Sequence, residues 1–458
     1  MIQPEKQIPT IQSTKLLQYS FALINNPLKA ISSIVAAYGD ISLLKISKIG
    51  SIVFVNHPDY VKHILKDNQN NYSRRKAIKQ PGFTGLQNLL GNGIFMSDGD
   101  DWEAQHKLLR QLFSVTSINA TLPIINHEVA TLIANWQKCI PKNPVIAIES
   151  EMYLLLLKIM LRSHVSNELT YDYDRILQAL KGFMDASGTK SIFMAQFKAF
   201  VFKPFGVKYT YTKPDRHLQQ LFTIVDKLIN DLISEQYKPV GLFELMLIDY
   251  KNNQVSKQDI KDQLLNFLFA GFDTTSTAIT WTLFNLATYP AVQQQVTDEL
   301  ACVIAENNTP IANLQLPILE KVIKESLRLY PPVWSYAREA IADDTINGYK
   351  IPAKTLVLIS SYALHRHKDF WPQPNEFNIS NFEKENFKGK NFAYIPFGQG
   401  KRMCIGRALA DYQMQIILGK LLQSFHFQPI TSKVPIINPN IIIKATKPIK
   451  LQVKAILK

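Results

Sequence analysis

The chain has little cysteine: three residues in 458, Cys139, Cys302 and Cys404. They lie far apart, in no CxxC pairing, so a disulfide framework and a zinc module are not expected, and a reducing compartment is. The sequence also lacks a run of about 18 apolar residues able to cross a membrane. Nor does it open with a cationic-then-apolar leader ending in a small-residue cleavage site. A soluble, cytoplasmic, monomeric protein with no transmembrane anchor is the expectation. No fixed-period repeat or low-complexity linker interrupts the chain, which favours one domain over residues 1–458. Acidic residues are the scarcer charge, 37 Asp+Glu against 51 Lys+Arg, for a formal net +14. The lysines are scattered and no recognition motif accompanies them, so nucleic acid is not expected. The excess suits an acidic protein partner, an anionic surface or simply a solvated basic exterior.

What the chain has is helical periodicity and an ample apolar fraction, 46%. Apolar residues recur at three and four in 127–137, 218–236, 257–288 and 317–329. Strand-like runs cluster at 40–58, with Gly50 and Ser51 at the turn, and at 343–364, where Asn347-Gly348 signals a hairpin. The fold class is mainly α: a helical body with a long central helix and small peripheral β-sheets. That helix, 257–288, would run about 45 Å at 1.5 Å per residue. Its middle, AGFDTT at 270–275, is poor helix former, so something there is preferred over helical stability.

Residues 396–406 read PFGQGKRMCIG. A cysteine there, followed directly by an amphipathic helix pattern at 405–423, would have its sulfur at a helix N-terminus among backbone N–H groups and cations, which stabilise thiolate. The glycines would let backbone run flat beneath a planar partner, and Phe397 would cover the sulfur. Such a site suits an axial thiolate on haem iron. A lone cysteine in a Gly-rich turn is by itself more often structural.

The spacing Phe397-x-x-Gly400-x-Arg402-x-Cys404-x-Gly406 resembles the haem-binding signature of the cytochrome P450 superfamily at every position. Three further segments resemble that family in order and spacing. In KESLRLYPP, 324–332, Glu325 and Arg328 share a helix face and match its buried structural pair. Its usual third partner falls in FWPQPNEFNISNF, 370–382, where Asn381 replaces the common arginine. AGFDTT matches the oxygen-activation motif. There Ala270 and Gly271 would leave room for dioxygen, Thr274 would hydrogen-bond it, and Asp273 would relay protons. Trp102 and His106, four apart, match a propionate-holding pair, with histidine where arginine is commoner. Arg338 and Arg402 match the other propionate partners.

The resemblance implies a bacterial-type soluble haem-thiolate monooxygenase, carrying haem b and taking an apolar substrate and O2. Because no flavin or iron–sulfur module follows Cys404, electrons are expected from a separate ferredoxin or flavodoxin with its NAD(P)H reductase. Lys401 is then a docking charge facing outward. A peroxide-using or isomerising member and a non-catalytic haem module are the alternatives, both disfavoured by Asp273 and Thr274. Pocket walls are expected from 73–95, Phe267, Val333, Trp334 and the aromatic stretch 182–209, which reads as a substrate lid or as core. Arg74 or Arg75 would meet a fatty-acid carboxylate; terpenoids and polyketides are the competing substrate classes.

Overall fold

The computed structural model describes residues 6–46, 50–79, 83–186, 188–202, 216–307 and 315–456. Helices dominate, and the sheets are small. The largest has five strands in the order Ile41–Ile46, Gly50–Val55, Leu356–Ile359, Tyr336–Ala340 and Tyr72–Ser73. Only the Gly50–Val55 and Leu356–Ile359 pair in it is parallel. Its apolar side forms a core of its own, in which Val53, Ile64, Val357 and Ile359 surround Ile395. The larger core lies among the helices.

Asn347 and Gly348 both take positive φ, 49° and 85°, and close the strands Asp344–Ile346 and Tyr349–Ile351. A two-residue turn of that kind matches the twist of the strands it joins. The first hairpin differs from expectation. Gly50 and Ser51 lie inside a strand, opposite Ile46 and Lys45, and the connecting residues 47–49 fall outside the described residues. The helix Pro317–Leu329 has the bounds read from its periodicity.

The central helix is not continuous. It runs from Lys257 to Gly271, breaks at Phe272, and resumes from Asp273 to Thr288. Hydroxyl bonds flank the break: Thr274 Oγ1 donates to Ala270 O (2.8 Å) and Ser276 Oγ to Asp273 O (3.0 Å), competing with the backbone ladder. Beyond it every residue from Thr275 to Ala287 is buried. Thr280 and Thr282 survive there by donating to Ser276 O and Ala278 O, each at 2.7 Å. This polar sequence is therefore the middle of the molecule.

The aromatic stretch at 182–209 forms the end of the helix Tyr173–Ala186 and the helix Thr189–Phe202. Phe183 is core and Phe193 reaches the main cavity. Residues 203–209, Phe205 among them, lie outside the described residues.

Glu325 and Arg328 are fully buried and bidentate, with Arg328 Nε to Oε2 and Nη2 to Oε1 both at 2.7 Å. The other Arg328 donors reach the carbonyls of His365 (2.9 Å), Pro374 (2.7 Å) and Glu376 (2.8 Å). Glu325 Oε1 also accepts the Asn378 N–H (2.8 Å) and Asn381 Nδ2 (3.1 Å). Removing one partner strands a charge in low dielectric. Arg328→Ala should lose about 3–5 kcal/mol, whereas Asn381→Ala, which leaves Glu325 its other donors, should lose only about 1 kcal/mol. Urea unfolding of the two variants checks both.

Candidate active site

The cysteine loop is suspended from this buried pair. His365 Nε2 accepts the Ile395 N–H (2.8 Å), which puts its proton on Nδ1, facing Arg328 O at 3.2 Å. The ring is therefore neutral, and burial pushes its pKa down to about 3. Tyr336 hydroxyl donates to Ile395 O (2.8 Å) from the sheet side. The loop then closes on itself, Cys404 N–H to Phe397 O (2.9 Å).

Gly400 has a reason other than the one read from sequence. Its φ is +74°, and a Cβ there would sit 1.6 Å from Leu65 O, so the glycine docks the loop on the segment around Leu65. It does not line the cavity, whereas Phe397, Arg402, Cys404 and Gly406 do. The following helix starts at Arg407 rather than directly after Cys404.

The cavity, about 440 Å³, is walled by the cysteine loop, the central helices, the 74–113 region and the strand carrying Arg338. Cys404 is exposed, and the space it opens to is this cavity. Burial pushes its thiol pKa up, while the Gly406 N–H and the Arg74 charge oppose that. Another wall holds Phe267, Ala270, Gly271, Thr274 and Ala278, with Thr274's hydroxyl already bonded to Ala270 O. At Gly271 a Cβ would meet Met160 Sδ at 2.8 Å, so the missing side chain lets two helices approach.

Asp273 is not at the cavity. One residue from Thr274, it faces away and is buried, and its Oδ2 pairs with Lys444 Nζ at 3.2 Å while Oδ1 has no partner. Successive helical residues point about 100° apart, and a buried carboxylate is held where a cation compensates its desolvation. Sequence reasoning missed Lys444, which offers no motif.

Three guanidiniums line the cavity. Arg338 is buried and donates to its own strand at Ala337 O (2.8 Å). Arg402 donates from Nη2 to Asp98 Oδ1 and to Ser97 O (2.7 Å), and its buried Nη1 has no partner. Burial pushes both down to about 10, with Asp98 opposing the fall; both stay charged at pH 7. The third, Arg74, stands 3.3 Å from the Phe95 ring centroid, and burial followed by Arg338 and Arg402 lowers its pKa. Sequence reasoning gave Arg74 or Arg75 a substrate carboxylate; Arg74 lines the cavity with these cations, and Arg75 does not line it.

Trp102 and His106 stack at 4.6 Å between ring centroids, and the Arg402 guanidinium lies 4.2 Å from the Trp102 ring. Burial first, then Arg110, Arg402 and Lys401, lower the His106 pKa from 6.5, leaving the ring neutral at pH 7. Lys401 is exposed and ion-paired with Glu103.

The donor set suits one kind of group: a planar cofactor with an axial thiolate and carboxylates able to take the unpaired Arg402 Nη1. The Cytochrome P450 family model matches residues 3–453. The chain belongs to the cytochrome P450 family, whose members are haem b monooxygenases. It is 26% identical over 420 residues to Cytochrome P450 3A12 of Canis lupus familiaris, covering 88% of this chain and 82% of that protein. Cytochrome P450 3A5 of Homo sapiens is 25% identical over 421 residues and Cytochrome P450 4A24 of Sus scrofa 26% over 424, each at the same coverage. These mammalian relatives give no support to the bacterial-type part of the expectation. No helix among the described residues is long and apolar enough to cross a membrane.

His164 also lines the cavity, its Nε2 buried without a partner, and burial holds its pKa down to about 4. With His365 it sets a pH dependence. Below 6.5 the unfolded chain takes up protons that these two rings refuse, so stability falls from pH 6.5 to about 4 for His164 and to about 3 for His365. His164→Leu should flatten the fall between pH 6.5 and 4 by roughly 1.4 kcal/mol per pH unit. Urea titrations across that range measure the slope.

Proposed function

We propose that Cys404 is the axial ligand of haem b and that this chain hydroxylates or epoxidises an apolar organic substrate admitted to the same cavity. The observation that carries it is the convergence of a cavity-facing sulfur, the Ala270–Thr274 wall and an unpaired guanidinium N–H in one space. When bound, haem b supplies the reduction of O2 and the insertion of one oxygen atom. The protein's part is to hold, orient and protonate.

Arg338, Arg402 and Arg74 would hold the cofactor's two propionates through charge-assisted hydrogen bonds. His106, neutral and stacked, shields that edge and adds at most a hydrogen bond. Gly406 N–H supports the sulfur as thiolate. Thr274 turns its hydroxyl from Ala270 O toward the cavity to deliver a proton there. Asp273 recharges it after swinging from Lys444. Glu325, Arg328 and Asn381 keep the cysteine loop in place and touch no reacting atom.

The walls Ile78, Phe83, Leu86, Phe193, Trp334 and Ile441 are apolar, which supports a terpenoid, polyketide or fatty-acid substrate. Arg74 stands beside Arg338 and Arg402, where it would meet a propionate, and this weighs against its use as a fatty-acid anchor. Electrons come from a separate acidic carrier, a ferredoxin or a flavodoxin-type flavoprotein with its NAD(P)H reductase, for which a net charge of +14 is suited. The three unpaired cysteines fit a reducing, cytoplasmic setting for a single-domain monomer.

Cys404→Ser should abolish the carbon monoxide difference band characteristic of thiolate-ligated ferrous haem; an unchanged band removes Cys404 from the ligand role. Titrating the Soret band with terpenoids, polyketides and long-chain fatty acids tests the substrate class, and a shift with fatty acids alone would restore the carboxylate reading. With a shifting substrate and surrogate redox proteins, Thr274→Ala should raise peroxide released per O2 consumed several-fold. Unaltered coupling refutes its part in proton delivery.

A further inference from the structure

Asp98 occupies the N-cap position of the helix Gly99–Arg110, yet its side chain makes no cap hydrogen bond. An aspartate there ordinarily accepts from the first turn. Instead both its oxygens are turned toward the cavity wall. Oδ2 accepts from Ser73 Oγ (2.5 Å) and the Arg75 N–H (3.1 Å), and Oδ1 accepts from Arg402 Nη2. It thereby ties the strand Tyr72–Ser73 and the turn carrying Arg74 to the cysteine loop.

Around it stand Arg74, Arg338 and Arg402, all lining one cavity. Three guanidiniums with nothing between them repel strongly in low dielectric. Lys401 is already neutralised by Glu103, and His106 adds no charge at neutral pH. Three guanidiniums against one carboxylate leave two positive charges, and haem b brings two propionates.

We infer that Asp98 is a resident counter-ion and positioning residue: it trims the propionate wall from three positive charges to two and aims Arg402 at the cofactor. This rests on the haem reading above. The wall is then neutral once loaded, and the electrostatic potential at the iron depends on a carboxylate outside the cysteine signature. Asp98 touches no reacting atom in this scheme.

The test is the ferric/ferrous midpoint potential of the full chain loaded with haem, followed optically during reductive titration with mediator dyes. Asp98→Glu should match wild type. Asp98→Asn removes a negative charge and should favour the ferrous form by about tenfold, equal to ~59 mV for a one-electron couple. Arg338→Gln should shift it the other way, and Asp98→Asn combined with Arg338→Gln should return it to the wild-type value. If Asp98→Asn alone fails to retain haem, the double variant against Arg338→Gln decides: a more positive potential in the double supports the inference, equal potentials overturn it. Loaded variants whose potentials ignore these charges overturn it too, with the haem reading intact. A wild-type chain that takes up no haem overturns the haem reading itself, and the inference with it.

Discussion

A guanidinium buried in low dielectric must give each N–H to an acceptor, and the placement of the site depends on Arg328 doing so. Its five donors are shared among Glu325 and the carbonyls of His365, Pro374 and Glu376. One helix, one turn and one irregular segment are thereby fixed to a single point. From there His365 carries the constraint onward, with Arg328 O on one ring nitrogen and Ile395 N on the other. Pro396 and Phe397 follow Ile395, and Cys404 is bonded back to Phe397. The sulfur's position is thus set by a chain of hydrogen bonds that begins at a salt bridge far from it in sequence. A buried ion pair need not add stability over a hydrophobic substitute; what it supplies here is direction.

The same side chain tells structure from site by how fully it is satisfied. Arg328 has no donor left over. Arg402 has an Nη1 buried without partner, and Arg338 donates only to Ala337 O among the bonds it makes. Leaving the Arg402 Nη1 donor open costs free energy in the folded chain, which a carboxylate entering the cavity would recover.

Much of this was legible in the sequence wherever one residue's neighbours along the chain decide its role. Pro317–Leu329 followed from apolar period, and the Asn347-Gly348 turn from the two positive φ angles those residue types accept. The cysteine signature was legible because its residues are close in sequence and meet in space. What escaped was decided by contacts between distant segments. Gly400 is glycine because of Leu65 O, Gly271 because of Met160, and Asp98 serves Arg402 across some 300 positions. Its stretch, SDGDDW, carries no local signal of that contact. The helix break at Phe272 was foreshadowed by weak propensity, but the length read from periodicity alone ran through it.

Asp273 and Thr274 show how adjacency in sequence separates function. Neighbours on a helix point about 100° apart, and here Thr274 lines the cavity while Asp273 does not. Asp273 opens the second helical segment, paired with Lys444 and coupled electrostatically to the half-buried Glu149 and Lys181. Its Oδ1 is buried without a hydrogen-bond partner. The weak helix propensity of AGFDTT thus coincides with a break that begins a new helical segment, whose first two residues divide between an ion pair and the cavity wall.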